Sequence, residues 1–264
     1  VSERPFSQEG ASLIIAHRGA SIDHPENTLD AFEAAVAAGA DAVEFDVRVT
    51  SDDHAVVLHD AAVDRTTDGK GLARATSLEA IKRLRISTQA GAPTLMMEIP
   101  TLTEALATLS GRVAVDIEIK NLPGEPDFEP DRERAVELVH AALDATAFVG
   151  GVIVSSFNPL SVAESRRRRP DIATGLLTDV GVEAEAAVRF AAHEGHRWVL
   201  PFIERVRETL DRAPANAHEA GLLLGTWLTD DPAVAVALFA GGVDAVATND
   251  PGRIVGVTRR AAGP

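Results

Sequence analysis

AVEFDVRVTSDDHAVVLH, residues 42–59, holds two strand-like runs separated by five residues, and its reading decides the fold. In the first run, 42–49, Val43, Phe45 and Val47 alternate with Glu44, Asp46 and Arg48. Side chains on a strand alternate between faces, so an apolar face backs a charged one. The second run, 55–59, is AVVLH. The gap Thr50-Ser51-Asp52-Asp53-His54 is too short for the crossover that joins parallel neighbours, but it suits an antiparallel hairpin. A turn centred between Asp52 and Asp53 sets Asp46 opposite His59 as cross-strand neighbours on one face.

Further strand-like runs lie at 12–16, 112–119, 151–155, 172–177, 197–201, 222–227 and 243–247. Helical stretches at 28–38, 101–110, 131–146, 158–168, 183–193, 204–219 and 231–240 alternate with them. With 55–59 set aside as an arm, about eight parallel strands remain, which predicts an α/β fold of the (β/α)8 barrel type. The segment 60–100 breaks the rhythm, with turn-like Asp68-Gly69-Lys70-Gly71 and Gly91-Ala92-Pro93. It is expected to be a small inserted subdomain after the second strand, leaving 1–59 and 101–264 as the barrel domain. The basic run from Arg166 to Arg169 before Pro170 fits a helix C-terminus, where cations complement the dipole.

The formal charge of −15 argues against nucleic-acid and anionic-membrane partners, which need a basic footprint. It would also repel a phosphate at long range, so a phosphate-handling site must gather positive charge locally. With no Cys, any metal must sit on carboxylates, carbonyls or His. No apolar run approaches the roughly 20 residues of a transmembrane helix. The chain opens on Val1 without a charged–apolar–small-residue leader, and a cytoplasmic location is the expectation. No feature indicates an oligomeric state.

Charges at the C-terminal ends of barrel strands point to a site, because buried carboxylates are costly unless paired or bound to metal. Glu44, Asp46 and Glu118 would make a hard oxygen site for one divalent cation, Mg²⁺ or Ca²⁺. The alternative is salt bridging to Arg48 and Lys120. Asp116 and Lys120 share the charged face of Glu118. His17 and His59, both at strand ends, could exchange protons near neutral pH. Arg18 could fork onto a phosphate and Lys120 could add a point charge, or either could pair with carboxylates. Asn27 suits a helix N-cap as well as a place behind the site, and Glu26 has the same ambiguity. Trp227 and Phe157 could wall the site or fill the core. The other histidines, His24, His54, His140, His193, His196 and His218, fall mostly in helices or turns.

Taken in order, these residues make the chain resemble the glycerophosphodiester phosphodiesterase family. The match runs through His17-Arg18-Gly19, Pro25-Glu26-Asn27-Thr28, Gly39-Ala40-Asp41, Glu44-x-Asp46-Val47, Thr50-x-Asp52, His59-Asp60 and Arg65-Thr66-Thr67. It continues in Ile99-Pro100-Thr101-Leu102, Glu118-Ile119-Lys120, Ser155-Ser156-Phe157 and Gly242-Val243-Asp244. The resemblance implies a TIM barrel with an insertion after the second strand. It also implies His17 and His59 as general acid and base, and Glu44, Asp46 and Glu118 as ligands of one divalent cation. Arg18, Lys120, Glu26 and Trp227 would meet the substrate, with Asn27 behind the ligands. The implied reaction converts a small glycerophosphodiester into glycerol 3-phosphate and an alcohol such as choline or ethanolamine, through a cyclic phosphate that water opens. Which His is acid and which base stays open. The chain departs from the family after Trp227, where Leu228-Thr229-Asp230 replaces the usual Thr-Val-Asn.

Two other readings compete. A lysophospholipase D-like enzyme would need an apolar trough, for which Leu72, Leu84, Ile86, Leu95, Met96 and Met97 are candidates; the same residues could be the insertion's own core. A non-catalytic phosphodiester-binding barrel would bind without turnover.

Overall fold

The computed structural model of the protein describes residues 12–87 and 96–261. Eight parallel strands, β1 (Leu13–His17), β2 (Ala42–Val49), β4 (Ala114–Ile119), β5 (Val152–Ser156), β6 (Ala173–Thr178), β7 (Trp198–Pro201), β8 (Leu223–Thr226) and β9 (Ala245–Thr248), lie side by side. Because β1 pairs with both β9 and β2, the sheet closes into the expected barrel. The arm β3 (Ala55–Val57) runs antiparallel to the upper end of β2. β1 reaches only as far as Glu44 along β2, so β2 outlasts its neighbour and β3 takes the free edge.

Helices α1 (Leu29–Ala38), α2 (Leu78–Ile81), α3 (Leu102–Leu109), α4 (Arg134–Thr146), α5 (Pro159–Arg168), α6 (Ala184–Glu194), α7 (Ile203–Glu208), α8 (Ala213–Glu219), α9 (Pro232–Ala240) and α10 (Pro251–Ala261) complete the described chain. Local sequence starts several of them. Thr101 and Glu104 form a capping box on α3, and α5, α8 and α9 carry Pro in their first turn, where a missing N–H costs nothing. Pro214 also explains why the expected helix 204–219 is two helices: its ring and absent donor force a restart. Asn27 is not an N-cap. Thr28 is, accepting from the Ala31 N–H, which leaves Asn27 free to turn inward.

The hairpin register differs by one residue from the expected one. Val47 faces Val57, Arg48 faces Val56 and Val49 faces Ala55, so Asp46 lies opposite Leu58, whose N–H it accepts at 3.0 Å, and not opposite His59. The loop has three residues, Ser51 to Asp53, closed by Thr50 N–H to His54 O at 2.9 Å and by Asp53 at φ +60°. A three-residue loop ending in a left-handed residue is a favoured hairpin geometry, and its odd length moves the centre onto Asp52. His59 therefore stands two residues past the end of β3.

Val43, Phe45 and Val47 on β2 face the helices and pack with Leu102, Leu106 and Leu109 of α3. Inside the barrel, Leu13, Ile15, Trp198, Leu200, Leu223 and Ala245 belong to the central cluster. Gly225 admits Leu200 there: a Cβ at Gly225 would stand 2.6 Å from a Leu200 methyl. A separate cluster, with Val63, Ile81, Ile86 and Ile99 packed under Val56 and Leu58, lies beneath the excursion between β3 and α3. Gly91-Ala92-Pro93 lies outside the described residues. Among those described, no helix is long and apolar enough to cross a membrane.

Candidate active site

Register alone brings the carboxylates together. Glu44 lies beside Asp116 and Asp46 beside Glu118 in the β2–β4 pairing, while His17 lies beside Glu44 in the β1–β2 pairing. Glu44, Asp46 and Glu118 are all buried, and a ligand oxygen from each lies within 4.8 Å of the others, a spacing that could hold a metal ion. Lys120 Nζ reaches Glu118 at 2.5 Å and Asp46 at 3.0 Å, and Arg18 Nε stands 3.3 Å from Asp46. The salt-bridge alternative thus holds for Lys120, while Arg48 pairs with Glu125 and Asp127 instead.

Two local backbone features aim these groups. After His17 the chain turns through Arg18 at φ +57° and Gly19 at φ +82°, which directs the Arg18 N–H onto Glu44 at 2.9 Å. A Cβ on Gly19 would lie 2.7 Å from the Ala31 backbone, so the turn requires glycine. Asn27, at φ +59°, donates Nδ2–H to Asp46 at 2.7 Å and accepts the Asp46 N–H at 3.3 Å.

The electrostatics follow from burial. Desolvation raises Glu44 well above the usual carboxylate range, reinforced by Asp46 and Glu118. It also raises Glu118, against the pull of Lys120, and lifts Asp116 to about 7 even though the Ser155 hydroxyl donates to it at 2.7 Å. For Asp46 burial acts in the same direction, but Lys120 and Arg18 outweigh it and hold that carboxyl below its ordinary value.

The two imidazoles are held differently. His17 Nδ1 lies 2.8 Å from Asn249 Oδ1. The Asn249 amide is itself oriented, since its Nδ2–H and backbone N–H both donate to Asp230, at 3.0 and 2.7 Å. Oδ1 therefore faces His17 as an acceptor, Nδ1 carries the proton, and Nε2 keeps its lone pair. Burial, then the neighbouring Arg18, lowers the His17 pKa to about 4. His59 Nδ1 lies 2.6 Å from the carboxylate of Asp60, which Arg65 grips with two hydrogen bonds at 2.7 and 3.1 Å. Burial lowers His59 as well, with Lys120 and Arg18 adding to the fall, and the opposing pull of Asp46 and Asp60 leaves it below its ordinary value.

A cavity of about 230 Å³ opens among His17, Arg18, Glu44, His59, Glu118 and Lys120, with Phe157 and Trp227 on its wall and Ile15, Leu177, Leu200 and Ala247 beneath. Trp227 packs edge-on against Phe157 and Phe202, ring centroids 5.2 and 5.0 Å away. Glu26 is brought to Arg18 rather than to the cavity wall. Its oxygens accept from Arg18 at 2.9 Å and from Arg65 at 2.7 Å, and it lines a neighbouring cavity. Sequence reasoning gave no role to Asn249, Asp230, Asp60, Arg65, Asp116 or Ser155. Asn249 was findable as the residue that follows a barrel strand, and Asp60 and Arg65 as members of quoted motifs. Their pairings needed the folded chain.

Positive and negative charge packed this densely at the C-terminal rim of a barrel, around two oriented imidazoles, is an arrangement that could bind and cleave a phosphate ester. Similarity to known proteins narrows that chemistry. Residues 17–253 match the Glycerophosphoryl diester phosphodiesterase family, and the chain belongs to that family. It is 33% identical over 252 residues to the glycerophosphodiester phosphodiesterase of Caldanaerobacter subterraneus subsp. tengcongensis, covering 94% of this chain and 98% of the relative. Among solved structures, an Oleispira antarctica phosphodiesterase in complex with the product sn-glycerol-3-phosphate matches with a TM-score of 0.80 at 26% identity, covering 96% of this chain and all 100% of that one. The glycerophosphodiester phosphodiesterase from Agrobacterium tumefaciens shares the fold with a TM-score of 0.76 at 24% identity, over 93% and 99% of the two chains.

Proposed function

We propose that the protein hydrolyses small glycerophosphodiesters, such as glycerophosphocholine and glycerophosphoethanolamine, to glycerol 3-phosphate and an alcohol, with His17 as general base and His59 as general acid. The observation that carries this reading is the contrast between the partners of the two Nδ1 atoms. The Asn249 amide oxygen fixes the His17 tautomer, and burial with the neighbouring Arg18 outweighs its pull toward the charged form, so Nε2 is ready to take a proton from the attacking hydroxyl. A carboxylate behind His59 supports its imidazolium, so Nε2–H can protonate the departing alkoxide as its bond to phosphorus breaks. Arg18 and Lys120 hold the phosphoryl oxygens, Glu26 acts on the substrate by steadying Arg18, and Trp227 with Phe157 walls the glycerol.

The carboxylates fit one divalent cation, Mg²⁺ or Ca²⁺. Glu44 Oε1 is buried without a hydrogen-bond partner, and Glu44, Asp46, Asp116 and Glu118 outnumber Arg18 and Lys120 by two charges. Glu44, Asp46 and Glu118 would hold the ion, with Asn27 orienting Asp46. When bound, it supplies Lewis-acid neutralisation of charge on the phosphoryl group. The cavity, below the roughly 300–1,000 Å³ of drug-sized ligand sites, suits a glycerol-phosphate unit with the second alcohol at the mouth.

The test compares two leaving groups. His59→Ala should lose about 10²- to 10⁴-fold in kcat on glycerophosphocholine. On the p-nitrophenyl diester of glycerol phosphate, whose phenolate leaves without a proton, it should lose far less. His17→Ala should lose heavily on both. Equal losses for His59→Ala on the two substrates would refute the assignment. EDTA should abolish turnover, and added Mg²⁺ or Ca²⁺ should restore it.

A second reading has a specific feature in its favour. An apolar groove formed by Phe157, Pro159, Leu176, Leu177, Val182 and Phe190 shares Phe157 and Leu177 with the catalytic cavity, and it could take the acyl chain of a lysophospholipid. The insertion does not supply such a trough from its described residues. Ile86 is buried in the insertion's own cluster with Leu84 and Met97 against it, Met96 is exposed, and Leu95 lies outside the described residues. Parallel assays with glycerophosphocholine and a lysophospholipid separate the two readings.

A further inference from the structure

Arg48 is the third charged inward-facing residue of β2, after Glu44 and Asp46, and its side chain is only 1% exposed. It touches neither of those carboxylates. Its Nε–H donates to the backbone oxygen of His59 at 2.7 Å, and Nη1 donates to Asp127 at 2.8 and 2.9 Å and to the backbone oxygen of Lys120 at 3.3 Å. Nη2 lies 2.6 Å from Glu125, which lines the catalytic cavity. One guanidinium therefore joins a rigid barrel strand to the residue past β3, the end of β4 and the loop that follows it.

We infer that Arg48 is a positioning residue for the reaction, holding the backbone of His59 so that its imidazole meets the leaving oxygen. The inference rests on the reading of His59 as the acid. Three observations converge on it. His59 lies beyond the ladder of β3, so the strand itself does not fix its carbonyl. A planar guanidinium hydrogen-bonds two backbone oxygens and the Asp127 carboxylate at once while keeping Glu125 in ion-pair range, which a lysine ammonium on a flexible stem does not match. A buried ion cluster is a weak source of stability, since apolar residues of like volume often serve as well. What this one provides is geometry, and displacement of a catalytic group by about 1 Å can cost about 10²-fold in rate.

The experiment is Arg48→Lys, assayed on glycerophosphocholine and on the p-nitrophenyl diester, with His59→Ala as reference and circular dichroism and Tm as controls for folding. Arg48→Lys keeps the charge and loses the fork. The expected result is a roughly 10- to 100-fold fall in kcat on glycerophosphocholine with KM changed less than about 3-fold, and little loss on the p-nitrophenyl diester. A residue that serves the fold alone would lower both rates by the same factor. If Arg48→Lys does not fold, Asp127→Asn takes its place, since it weakens the anchor on the side away from His59 and should give the same pattern at smaller amplitude. Equal losses on both substrates, or no loss on either, overturns the inference. If His59→Ala itself shows no dependence on the leaving group, the assignment of His59 falls and this inference with it. Dependence in His59→Ala without dependence in the Arg48 or Asp127 variant overturns this inference alone.

Discussion

Glu44, Asp46, Asp116 and Glu118 stand at one end of the barrel, where Arg18 and Lys120 lie in ion-pair range of Asp46 and Lys120 also of Glu118. Burial raises Glu44 and Glu118 and brings Asp116 to about 7, whereas the unfolded chain ionises its carboxyls near pH 4. Between about pH 4 and 7 these carboxyls hold protons in the folded, cation-free protein that they have lost in the unfolded chain, so their contribution to stability falls as pH rises, while His17, lowered to about 4 by burial, contributes in the opposite sense below pH 6.5. A divalent cation replaces those protons and gains affinity as they leave. Mg²⁺ or Ca²⁺ should raise the Tm of EDTA-treated protein more at pH 8 than at pH 5, by about 5 °C or more. Scanning calorimetry at the two pH values checks this; an equal gain at both would show that the carboxyls do not exchange protons for the ion. Residues of this kind were legible because strand parity and the rim of a barrel are properties of the chain itself. The proposed division of labour between His17 and His59 was not, because it rests on Asn249 and Asp60, and the partner of His17 is contributed from 232 residues away.

At the scale of elements, the nine strands were read from periodicity to within two residues at each end, and the errors fell where one residue changes the local geometry. The hairpin is the clearest case. Counting from the wrong turn centre moved His59 onto a strand position it does not hold, although Asp52-Asp53 carried the information, since Asp tolerates the left-handed region better than most residues. Pro214 likewise announced the break between α7 and α8, and α10 went unread. The turn makes its own prediction. Asp53→Asn should leave the urea midpoint nearly unchanged, because the ion pairs it gives up, with Arg74 and Arg134 at 3.4 Å, are partly exposed. Asp53→Val should cost about 1–2 kcal/mol, because a β-branched side chain is strained at φ +60°. Urea denaturation at constant m-value reads both. A valine variant as stable as the asparagine one would mean that the loop does not set the register.

For the whole molecule, the formal charge of −15 and the local chemistry oppose each other. Arg18, Lys120 and a bound divalent cation would attract a phosphodiester at contact, but the protein as a whole repels anions approaching from a distance. Exposed charges act over about 10 Å at 0.1 M salt and about 3 Å at 1 M, so the repulsion is a property of encounter and fades with ionic strength. Glycerophosphocholine and glycerophosphoethanolamine carry no net charge, since the head-group cation offsets the phosphate, whereas glycerophosphoglycerol carries one negative charge. The net-neutral diesters should therefore be preferred in kcat/KM by about 3-fold or more at low salt, and the preference should shrink as NaCl is raised toward about 0.5 M. The measurement is kcat/KM for glycerophosphocholine and glycerophosphoglycerol across that series at saturating divalent cation. A ratio that stays constant with salt would place the discrimination in direct contacts within the cavity, which Glu125 helps to line.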